Sequence, residues 1–555
     1  MHLEPPTSEA PAPSSEPSLP NRPLQLAAAA PSSEPSLPKR PLQLAAAALA
    51  LGVAINVLFY GHSPGISFPI WAALSAVGLL LGASWEGVRP DRSGPIFIPA
   101  ILLFSAMLAI RLEPLTVALS LLATLLLFGL WVRALREGRL LRFGWLDFGL
   151  TWITVPLDSL LRPWPTVSLT TRRLAGDRAA RSRGAAVLRG LLLALPVLIV
   201  LVALLTAADF VFHDLVANLL TWLDIDWIRE AIVRSIVIGS GALFSLGALV
   251  TALGGREPRK LFGEDQPLLR PFLGFIETGV VLGAVDLVFA VFVAIQLRYL
   301  FGGEANITAA GYTYSEYARR GFGELVFAAF LSLGLILALA YLGRREGSRQ
   351  RATFNGLSVG LIVMLGVTLA SALMRLLLYE SAYGFTRLRT YTHIFIFWPG
   401  ALLVAFVGLL CRDQLRTLAP VSVAAGFGFI ATLGLINVDA FIAGRNIGRF
   451  EQSGELDVVY LAQLTGDATP TLAAFLTEEY PPELLAHLAC QQAMFEARKT
   501  RAEWQSFHFG RRQAARSLAE SADRLTSYRV RLENLIWYVA GPDDAETPCL
   551  GQWLD

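Results

Sequence analysis

The sequence contains unusually little charge for its length. Of its 555 residues only 16% are Asp, Glu, Lys or Arg, whereas soluble globular domains contain about a quarter. Hydrophobic residues make up 54% of the chain, and the mean hydropathy is +0.52. This composition excludes a mainly disordered chain and argues against an ordinary cytosolic enzyme.

Lysine and cysteine are also scarce. Three of the 46 basic residues are Lys, and this bias toward Arg, with abundant Ala, is typical of a GC-rich bacterial genome. The three cysteines form no C-x-x-C pair, which excludes a zinc ribbon and a thioredoxin-like motif. The sequence also lacks a Walker loop and an H-E-x-x-H motif. It therefore predicts no cofactor, and its net charge of +2 predicts no nucleic-acid partner.

Long apolar segments dominate the rest of the chain. A helix needs about 20 apolar residues to cross a hydrocarbon layer of about 30 Å. Eleven segments qualify, at 42–61, 66–85, 95–111, 114–132, 185–208, 231–253, 277–298, 322–343, 354–378, 391–411 and 418–437. Backbone polar groups inside a bilayer must bond to one another, so these segments are expected to be helices. The sequence predicts an all-α, polytopic membrane protein in contact with the lipid bilayer.

The chain divides into three regions. Residues 1–41 are rich in Pro, Ser and Ala and include most of a tandem repeat, in which 13–30 returns as 31–48 with one change. Since Pro interrupts helices, this tail is expected to be disordered. A transmembrane domain is predicted over 42–437 and a soluble helical domain over 438–555. Helices in this last domain are expected near 456–465, 470–479, 482–500 and 511–539.

Basic residues concentrate in alternate loops. Ten Arg lie between 133 and 184, and the second, sixth, eighth and tenth loops are also basic. The intervening loops carry at most two Lys or Arg each. Cytoplasmic loops are enriched in Lys and Arg. We therefore expect a bacterial cytoplasmic-membrane protein with its N-terminus in the cytoplasm and, after eleven spans, an extracytoplasmic C-terminal domain.

The number of spans also depends on whether residues 143–161 cross the membrane. The segment is apolar but contains Asp147, Asp158 and Pro156, and Arg residues flank it on both sides. If residues 143–161 crossed the membrane, one of the two Arg-rich stretches that flank them would lie on the extracytoplasmic side. A helix lying in the cytoplasmic interface, with Trp145 and Trp152 near the lipid headgroups, is the preferred interpretation, and a spanning helix is the alternative.

The C-terminal region differs from the rest in its charge. Residues 438–555 contain 17 acidic and 11 basic residues. Cys490 and Cys549 form a disulfide if this region lies in an oxidising compartment. Two unpaired thiols are the alternative, because nothing in the sequence fixes the distance between them.

Ionisable residues at membrane depth are the best candidates for function, because they are costly to place there. Five such residues are predicted to line a polar cavity that opens outward: Asp286, Glu324, Arg375, Arg387 and Arg389. In the structural alternative, Asp286 pairs with a neighbouring helix and Arg375 extends toward the membrane surface. A proton- or ion-coupled pathway and an enzymatic site are the functional alternatives.

A weaker signal lies in the acidic stretch that follows the fifth predicted span. Asp209 and His213 are four residues apart, so a helix places them on one face at a spacing that suits metal ligands. A complete metal site needs further ligands, and an amphipathic surface helix is the preferred interpretation of this stretch.

Three motifs give the chain a family resemblance. They are Y-x-R-x-G-F at 317–322, Y-G-x-T-x-x-R-x-Y at 383–391 and N-x-D-x-x-I-A-x-x-N at 437–446. In these motifs the chain resembles bacterial multipass proteins grouped as domains of unknown function 4153 and 4173. The resemblance implies a bacterial cytoplasmic-membrane protein and implies no activity.

Two functional hypotheses follow from the sequence. The first is a non-enzymatic envelope module, transport-like or sensory, whose partner is an envelope protein or a small anionic ligand. The second is a membrane-embedded enzyme that acts on a lipid-linked or envelope substrate, with Asp286 or Glu324 as its acid or base.

Overall fold

A computed structural model describes most of the chain. The described residues are 38–88, 94–137, 140–180, 209–222, 226–254, 271–300, 322–475, 481–499, 503–534 and most of 536–549, with scattered positions between 187 and 208. The predicted N-terminal tail falls almost wholly outside them, as do most of the predicted span at 185–208 and the motif at 317–322.

The structure is 82% helical and belongs to the all-α class, as predicted. Its helices are α1 Pro41–Phe59, α2 Ser67–Glu86, α3 Gly94–Ile110, α4 Pro114–Glu137, α5 Trp145–Leu161, α6 Pro163–Ala180, α7 Phe210–Trp222, α8 Asp226–Leu253, α9 Phe275–Leu300, α10 Phe322–Leu342, α11 Ser348–Tyr383, α12 Arg387–Cys411, α13 Leu418–Ile436, α14 Val438–Ser453, α15 Val458–Leu461, α16 Thr469–Ala474, α17 Pro482–Lys499 and α18 Phe509–Glu520. Three strands follow: β1 Arg529–Glu533, β2 Ile536–Ala540 and β3 Glu546–Pro548.

Eight helices within the described residues are long and apolar enough to cross a membrane. They are Pro41–Phe59, Ser67–Glu86, Pro114–Leu135, Arg229–Leu253, Phe275–Leu297, Ser348–Ser381, Arg387–Cys411 and Leu415–Ile436. Each coincides with a predicted span. The predicted third and eighth spans correspond to shorter apolar helices, Ile96–Ile110 and Phe327–Leu342. The multipass character is confirmed, and the total of eleven spans stays a prediction.

Small residues bring α1 and α8 into close contact. The backbone of Gly52 lies against that of Ile238 and Ala242, because a Cβ at Gly52 would stand 2.4 Å from the Ile238 carbonyl oxygen. Such small residues let membrane helices approach closely. The two helices are antiparallel: Arg234, near the start of α8, stacks on Tyr60, which directly follows α1.

One end of the bundle carries the C-terminal region, and we call this end the docking face. The loop between α1 and α2 donates a hydrogen bond from Ile66 to the Phe507 carbonyl at 2.8 Å. The loop between α3 and α4 donates from Leu112 to Asp467 at 2.7 Å. The loop between α11 and α12 bonds to Asn446. These three loops therefore lie on the same side as the described residues of 438–549.

We call the opposite end the arginine-rich face, after the loops that meet there. The backbone amides of Lys39 and Arg40 donate to Glu86, which joins the start of α1 to the end of α2. The turn at 140–142 contacts the turn at 415–417. Residues 271–274, before α9, pair with residues 342–344, after α10.

Helix α5 covers the segment for which interfacial and spanning interpretations compete. The Gly144 amide donates to the carboxylate of Asp147 at 3.0 Å, which caps the start of the helix. Further along, the Ser159 backbone packs on Gly247 of α8. One face of the helix thus packs against α4 and α8. Apolar residues elsewhere on the helix are half exposed or more: Trp145, Leu146, Ile153, Leu157, Leu160 and Leu161.

One part of the C-terminal region differs from the sequence prediction. The expected helix at 511–539 is wrong beyond Glu520, where β1, β2 and β3 form an antiparallel sheet. Val530 and Leu532 alternate with Arg529, Arg531 and Glu533, a pattern with the strand period of two. Asn534 turns the chain with a φ of +49°, which suits a two-residue hairpin loop.

Candidate functional site

The described family motifs meet at the docking face. Residues 383–391 cover the last residue of α11, the turn after it and the start of α12, and residues 437–446 cover the N-cap and the first nine residues of α14. We call the contact between them, with Glu113 and residues 460–467 beside it, the motif junction.

The centre of the motif junction is an ion pair. The Arg387 guanidinium donates from Nε to Asp439 Oδ1 at 2.8 Å and from Nη2 to Oδ2 at 2.6 Å. The Asp439 side chain is fully buried, whereas that of Arg387 is 23% exposed. Thr465 adds two hydrogen bonds to Oδ2, from its amide and its hydroxyl, each 2.8 Å long. A bidentate pair of this kind fixes both distance and orientation.

The two motifs are also joined through the backbone of Phe385. Its amide donates to Asn446 Oδ1 at 2.7 Å, and the Asn446 amide group donates to the Phe385 carbonyl at 2.9 Å. Gly384 precedes this contact with a φ of +73°, and a Cβ there would stand 2.8 Å from Asn446 Oδ1. Glycine is required at this position for both reasons.

Arg389 holds the same turn from its other side. Its guanidinium donates to the carbonyls of Tyr383, at 3.0 Å, and Gly384. It also stacks on the Tyr379 ring, with 4.1 Å between the guanidinium carbon and the ring centroid. Arg389 of the second motif and Tyr379 of α11 therefore stabilise one turn of the backbone.

Asn437 shapes the start of α14. Its backbone is left-handed, with a φ of +57°, and its side-chain oxygen accepts a hydrogen bond from the Ala440 amide. Asn tolerates this conformation better than most residues and is a preferred helix cap. The cap places Asp439 in the first turn of α14, opposite Arg387.

A second group of carboxylates flanks the ion pair. The Tyr391 hydroxyl donates to Glu113 at 2.5 Å, and Glu113 also caps α4 by accepting from the Leu115 and Thr116 amides. Asp467 accepts from the amides of Leu112, at 2.7 Å, and Glu113, at 3.1 Å. Burial raises the pKa of Asp467 to about 6, against the opposing effect of the backbone amides and Arg111.

The chemistry of the motif junction is that of a clamp. Both oxygens of Asp439 and both oxygens of Glu113 accept hydrogen bonds, and Arg387 is bound to Asp439. Groups engaged in this way hold the ends of α4, α12 and α14 together. They are not poised to transfer a proton to a substrate.

Glu380 and His393 form a separate pair near the motif junction. His393 Nδ1 lies 3.3 Å from Glu380 Oε2, and the Glu380 side chain is 2% exposed. The other oxygen, Oε1, is buried and has no hydrogen-bond partner among the described residues. Arg389 and Arg445 lie within electrostatic range of this carboxylate. Among the described residues, Oε1 of Glu380 therefore remains available to accept a hydrogen bond.

The residues predicted to line a polar cavity have different surroundings in the structure. Arg387 and Arg389 belong to the motif junction. Arg375 Nη2 donates to Gln296 Oε1 at 2.5 Å. Asp286 lies within α9, and its Oδ1 is buried without a hydrogen-bond partner in the described part of the chain. Glu324 lies on α10, and its side chain falls outside the described residues.

Asp209, which with His213 is the weak candidate for metal binding, caps a helix. Asp209 Oδ1 accepts a hydrogen bond from the Phe212 amide at 2.7 Å and so caps the start of α7. Within the part of the chain that the structure describes, no group of three or more His, Cys, Asp or Glu side chains is placed to hold a metal ion. Asp209 and His213 have no third ligand there.

The two C-terminal cysteines are joined. A disulfide links Cys490 of α17 to Cys549, 59 residues later, with Cα atoms 5.9 Å apart. Both cysteines are buried beside Val539 of β2. The bond ties the end of the sheet to α17. The third cysteine, Cys411, is a free and exposed thiol at the arginine-rich face.

A cavity of about 600 Å³ lies among the membrane helices, away from the motif junction. Helices α4, α5, α10, α11, α12 and α13 all contribute to its wall, which is almost entirely apolar. Among the described side chains, Asp286, Arg375, Arg387 and Arg389 do not line it.

Only part of the motif junction is predictable from the sequence. Arg387 and Arg389 are among the sequence candidates, and Asp439 and Asn446 lie in the third motif, but Glu113 and Asp467 are missed. Tyr391 and Glu113 are 278 positions apart. The available signal is local: Glu113 stands directly before Pro114, at a helix start, where a carboxylate is a typical cap.

The helices and the clamped C-terminal region define a polytopic helical membrane protein. A family model described as a domain of unknown function (DUF4153) matches residues 98–475, which is more than half of the chain. The chain belongs to this family, and the resemblance drawn from the motifs is confirmed for it. No curated protein and no solved structure matches the chain.

Proposed function

We propose that the protein is a non-enzymatic module of the bacterial cytoplasmic membrane, sensory or transport-like, that presents residues 438–555 on the extracytoplasmic side. One observation carries the proposal: the C-terminal region docks on loops that carry few basic residues. The loops at the opposite end are the basic ones. A soluble region clamped rigidly to helix ends suits the reporting of a binding event to the bundle, or the reverse.

Charge supports this orientation. The arginine-rich face collects the loops that contain Arg344, Arg345, Arg412 and Arg416, together with Lys39 and Arg40. Lys and Arg are enriched in cytoplasmic loops. The arginine-rich face is therefore assigned to the cytoplasm and the docking face to the outside.

The direction of the helices supports the expected count between α4 and α8. Helix α4 begins at the docking face, beside Asp467, and ends near the turn at 140–142. Helix α8 begins beside Tyr60, again at the docking face. The chain between them must therefore cross the membrane an odd number of times. A span at 185–208 and an α5 that does not cross satisfy this condition.

The disulfide also supports an extracytoplasmic position for the C-terminal region. Disulfides form and persist in oxidising compartments, including the extracytoplasmic space of bacteria, and are rare in the cytosol. Cys490 and Cys549 are both in the C-terminal region, whereas the free Cys411 is at the arginine-rich face.

The docking face offers a surface for a small anionic ligand. Arg445 is exposed and stacks on Phe441, with 5.2 Å between the guanidinium carbon and the ring centroid. The His393 side chain is 42% exposed and contacts buried Glu380. A carboxylate or phosphate bound to Arg445 and His393 would alter the charge around Glu380, which gives a route from the outer surface to α11.

Labelling of single thiols tests the orientation. In a Cys411→Ser background, Gln452→Cys places the one free thiol at an exposed position of the docking face and leaves the disulfide intact. The matched control keeps Cys411 as the one free thiol. We expect a membrane-impermeant maleimide to label Gln452→Cys in intact cells, and Cys411 only after permeabilisation. The opposite pattern would refute the proposal.

An enzyme is the second candidate, and Asp286 is the observation in its favour. A carboxylate oxygen buried at membrane depth without a hydrogen-bond partner among the described residues is available to accept a proton. Asp286→Asn removes this capacity at nearly constant volume. If Asp286 acts as an acid or base, this variant should fold and insert normally but lose activity. If Asp286 is structural, the variant should show reduced expression or stability.

A further inference from the structure

The cavity among the membrane helices lies at mid-bilayer depth. On α12 its wall runs from Phe395 to Leu403. Phe395 is eight residues after the first residue of α12, and Leu403 is eight residues before the last. At 1.5 Å per residue these segments are each about 12 Å long. The cavity therefore sits where the surrounding bilayer is hydrocarbon.

The wall offers no free hydroxyl to a polar ligand among its described residues. Two side-chain hydroxyls line the cavity, those of Thr368 and Ser422. The Thr368 hydroxyl donates to the Leu365 carbonyl at 2.7 Å, and the Ser422 hydroxyl donates to the Leu418 carbonyl at 2.9 Å. Of the indole N–H groups in the wall, that of Trp398 donates to Thr432 at 3.2 Å, and that of Trp152 is buried without a hydrogen-bond partner among the described residues. A polar guest would therefore find few replacement bonds for its lost hydration, which disfavours it.

The wall and the size of the cavity suit an apolar guest. Eight of the lining residues are aromatic, and Gly149 and Gly426 also line the cavity. Two residues of the wall, Trp145 and Phe330, are 53% and 54% exposed, so they also form part of the outer surface of the helices. A volume of about 600 Å³ lies within the usual range for ligand pockets, about 300–1,000 Å³.

We propose that this cavity binds one acyl chain of a membrane lipid, which enters from the bilayer between Trp145 and Phe330. The apolar wall, the satisfied hydroxyls and the depth in the bundle all select hydrocarbon. The site is independent of the proposed function, because it requires neither the orientation nor the role of the docking face.

Photocrosslinking of the full-length protein in vesicles tests the site. One probe is a phosphatidylglycerol with a diazirine in the middle of one acyl chain, and the other is the corresponding free fatty acid. We expect mass spectrometry to find crosslinks concentrated on peptides that contain Trp145–Trp152 and Phe395–Leu403. Crosslinking by the phospholipid, by the fatty acid or by both identifies the source of the chain.

Variants that fill the cavity, with a matched control outside it, test whether the crosslinks come from this site. A Cβ added at Gly426 or at Gly283 would meet no atom within 4 Å, but only Gly426 lines the cavity. Gly426→Phe is expected to reduce crosslinking to the cavity peptides at least fivefold, and Gly283→Phe to leave it unchanged. Gly149→Phe fills the cavity from α5 and replaces Gly426→Phe if that variant fails to fold. Crosslinks spread evenly over the exposed helices, and unaffected by both filling variants, would refute the site.

Discussion

Arg387 and Asp439 are 52 residues apart in the chain and form a bidentate ion pair that joins the first turn of α12 to the first turn of α14. The pair links the membrane helices to the C-terminal region. Because Asp439 is fully buried, the pair cannot be opened without exposing or stranding a charge.

Asp439→Asn should destabilise the protein strongly. Removing one partner of a buried ion pair costs about 3–5 kcal/mol. We expect about 3 kcal/mol, because Arg387 retains partial access to water. Denaturant titration in detergent measures the change. Asp544→Asn is the matched control, since Asp544 pairs with Arg529 at the surface and such pairs contribute about 0–1 kcal/mol. Equal effects of the two variants would contradict the stabilising role of the Arg387–Asp439 pair between α12 and α14.

Gly384→Ala should disturb the turn before α12. Gly384 has a φ of +73° and a ψ of 180°, a backbone conformation that is essentially restricted to glycine and costs another residue about 1–3 kcal/mol. The added Cβ also displaces Asn446 from its bonds to Phe385. Gly454 also has a positive φ, +70°, but its ψ of 3° lies in the left-handed helical region, and no atom lies within 4 Å of an added Cβ. Gly454→Ala is therefore the control for a milder backbone strain without an added contact. We expect a larger drop in thermal midpoint for Gly384→Ala than for Gly454→Ala, and an equal or smaller drop would contradict the role of this turn.

Acid should weaken the C-terminal region through its buried histidines. Burial lowers the pKa of His487 and of His508 to about 4. Stability that depends on their neutral forms is complete above the ordinary histidine pKa of 6.5 and is lost as pH falls toward 4. Asp467 acts in the opposite direction. Its raised pKa of about 6 contributes stability that is present below pH 3.8 and is lost as pH rises through 6.

The variant Asp467→Asn separates these two effects. It removes the opposing contribution, so its stability should fall more steeply than that of the wild type between pH 6 and pH 4. Thermal midpoints measured across this range test the prediction, with Asp544→Asn as the control for a general change in charge. An unchanged or shallower slope in Asp467→Asn would show that Asp467 does not titrate as its burial implies.

Loss of the disulfide should loosen the region between α17 and the sheet. For a loop of 59 residues, chain-entropy arguments give a stabilisation of about 4 kcal/mol. Replacing Cys490 and Cys549 together by Ser should raise proteolytic cleavage between 500 and 535 and lower the thermal midpoint. Cys411→Ser removes an exposed thiol and should change neither.

The membrane helices are predictable because their signal is local. A run of about 20 apolar residues is sufficient evidence for a span, and the eight long helices coincide with predicted ones. The sheet is not predicted because the apolar stretch Ile536–Ala540 follows a helical pattern closely enough to be taken as its continuation. In the structure it pairs with Arg529–Glu533 instead.

The motif junction is only partly predictable because its partners are distant in sequence. The positions of Arg387 and Arg389 at a membrane boundary mark them as functional candidates. A position in sequence does not reveal whether such a residue faces a cavity or a buried carboxylate. That choice depends on the fold, which brings Asp439, Thr465 and Glu113 to the same end of the bundle.

Protease accessibility on either side of the membrane tests the central claim, that the Arg387–Asp439 pair clamps the C-terminal region to the outer face. Trypsin is added to spheroplasts and to inside-out vesicles that contain wild type, Asp439→Asn or Asp544→Asn. In spheroplasts, we expect cleavage at Arg445 and Arg449 to be at least tenfold faster in Asp439→Asn than in the other two proteins. No such cleavage is expected in inside-out vesicles. Cleavage at these residues in inside-out vesicles alone, or at equal rates in all three proteins, would contradict the account.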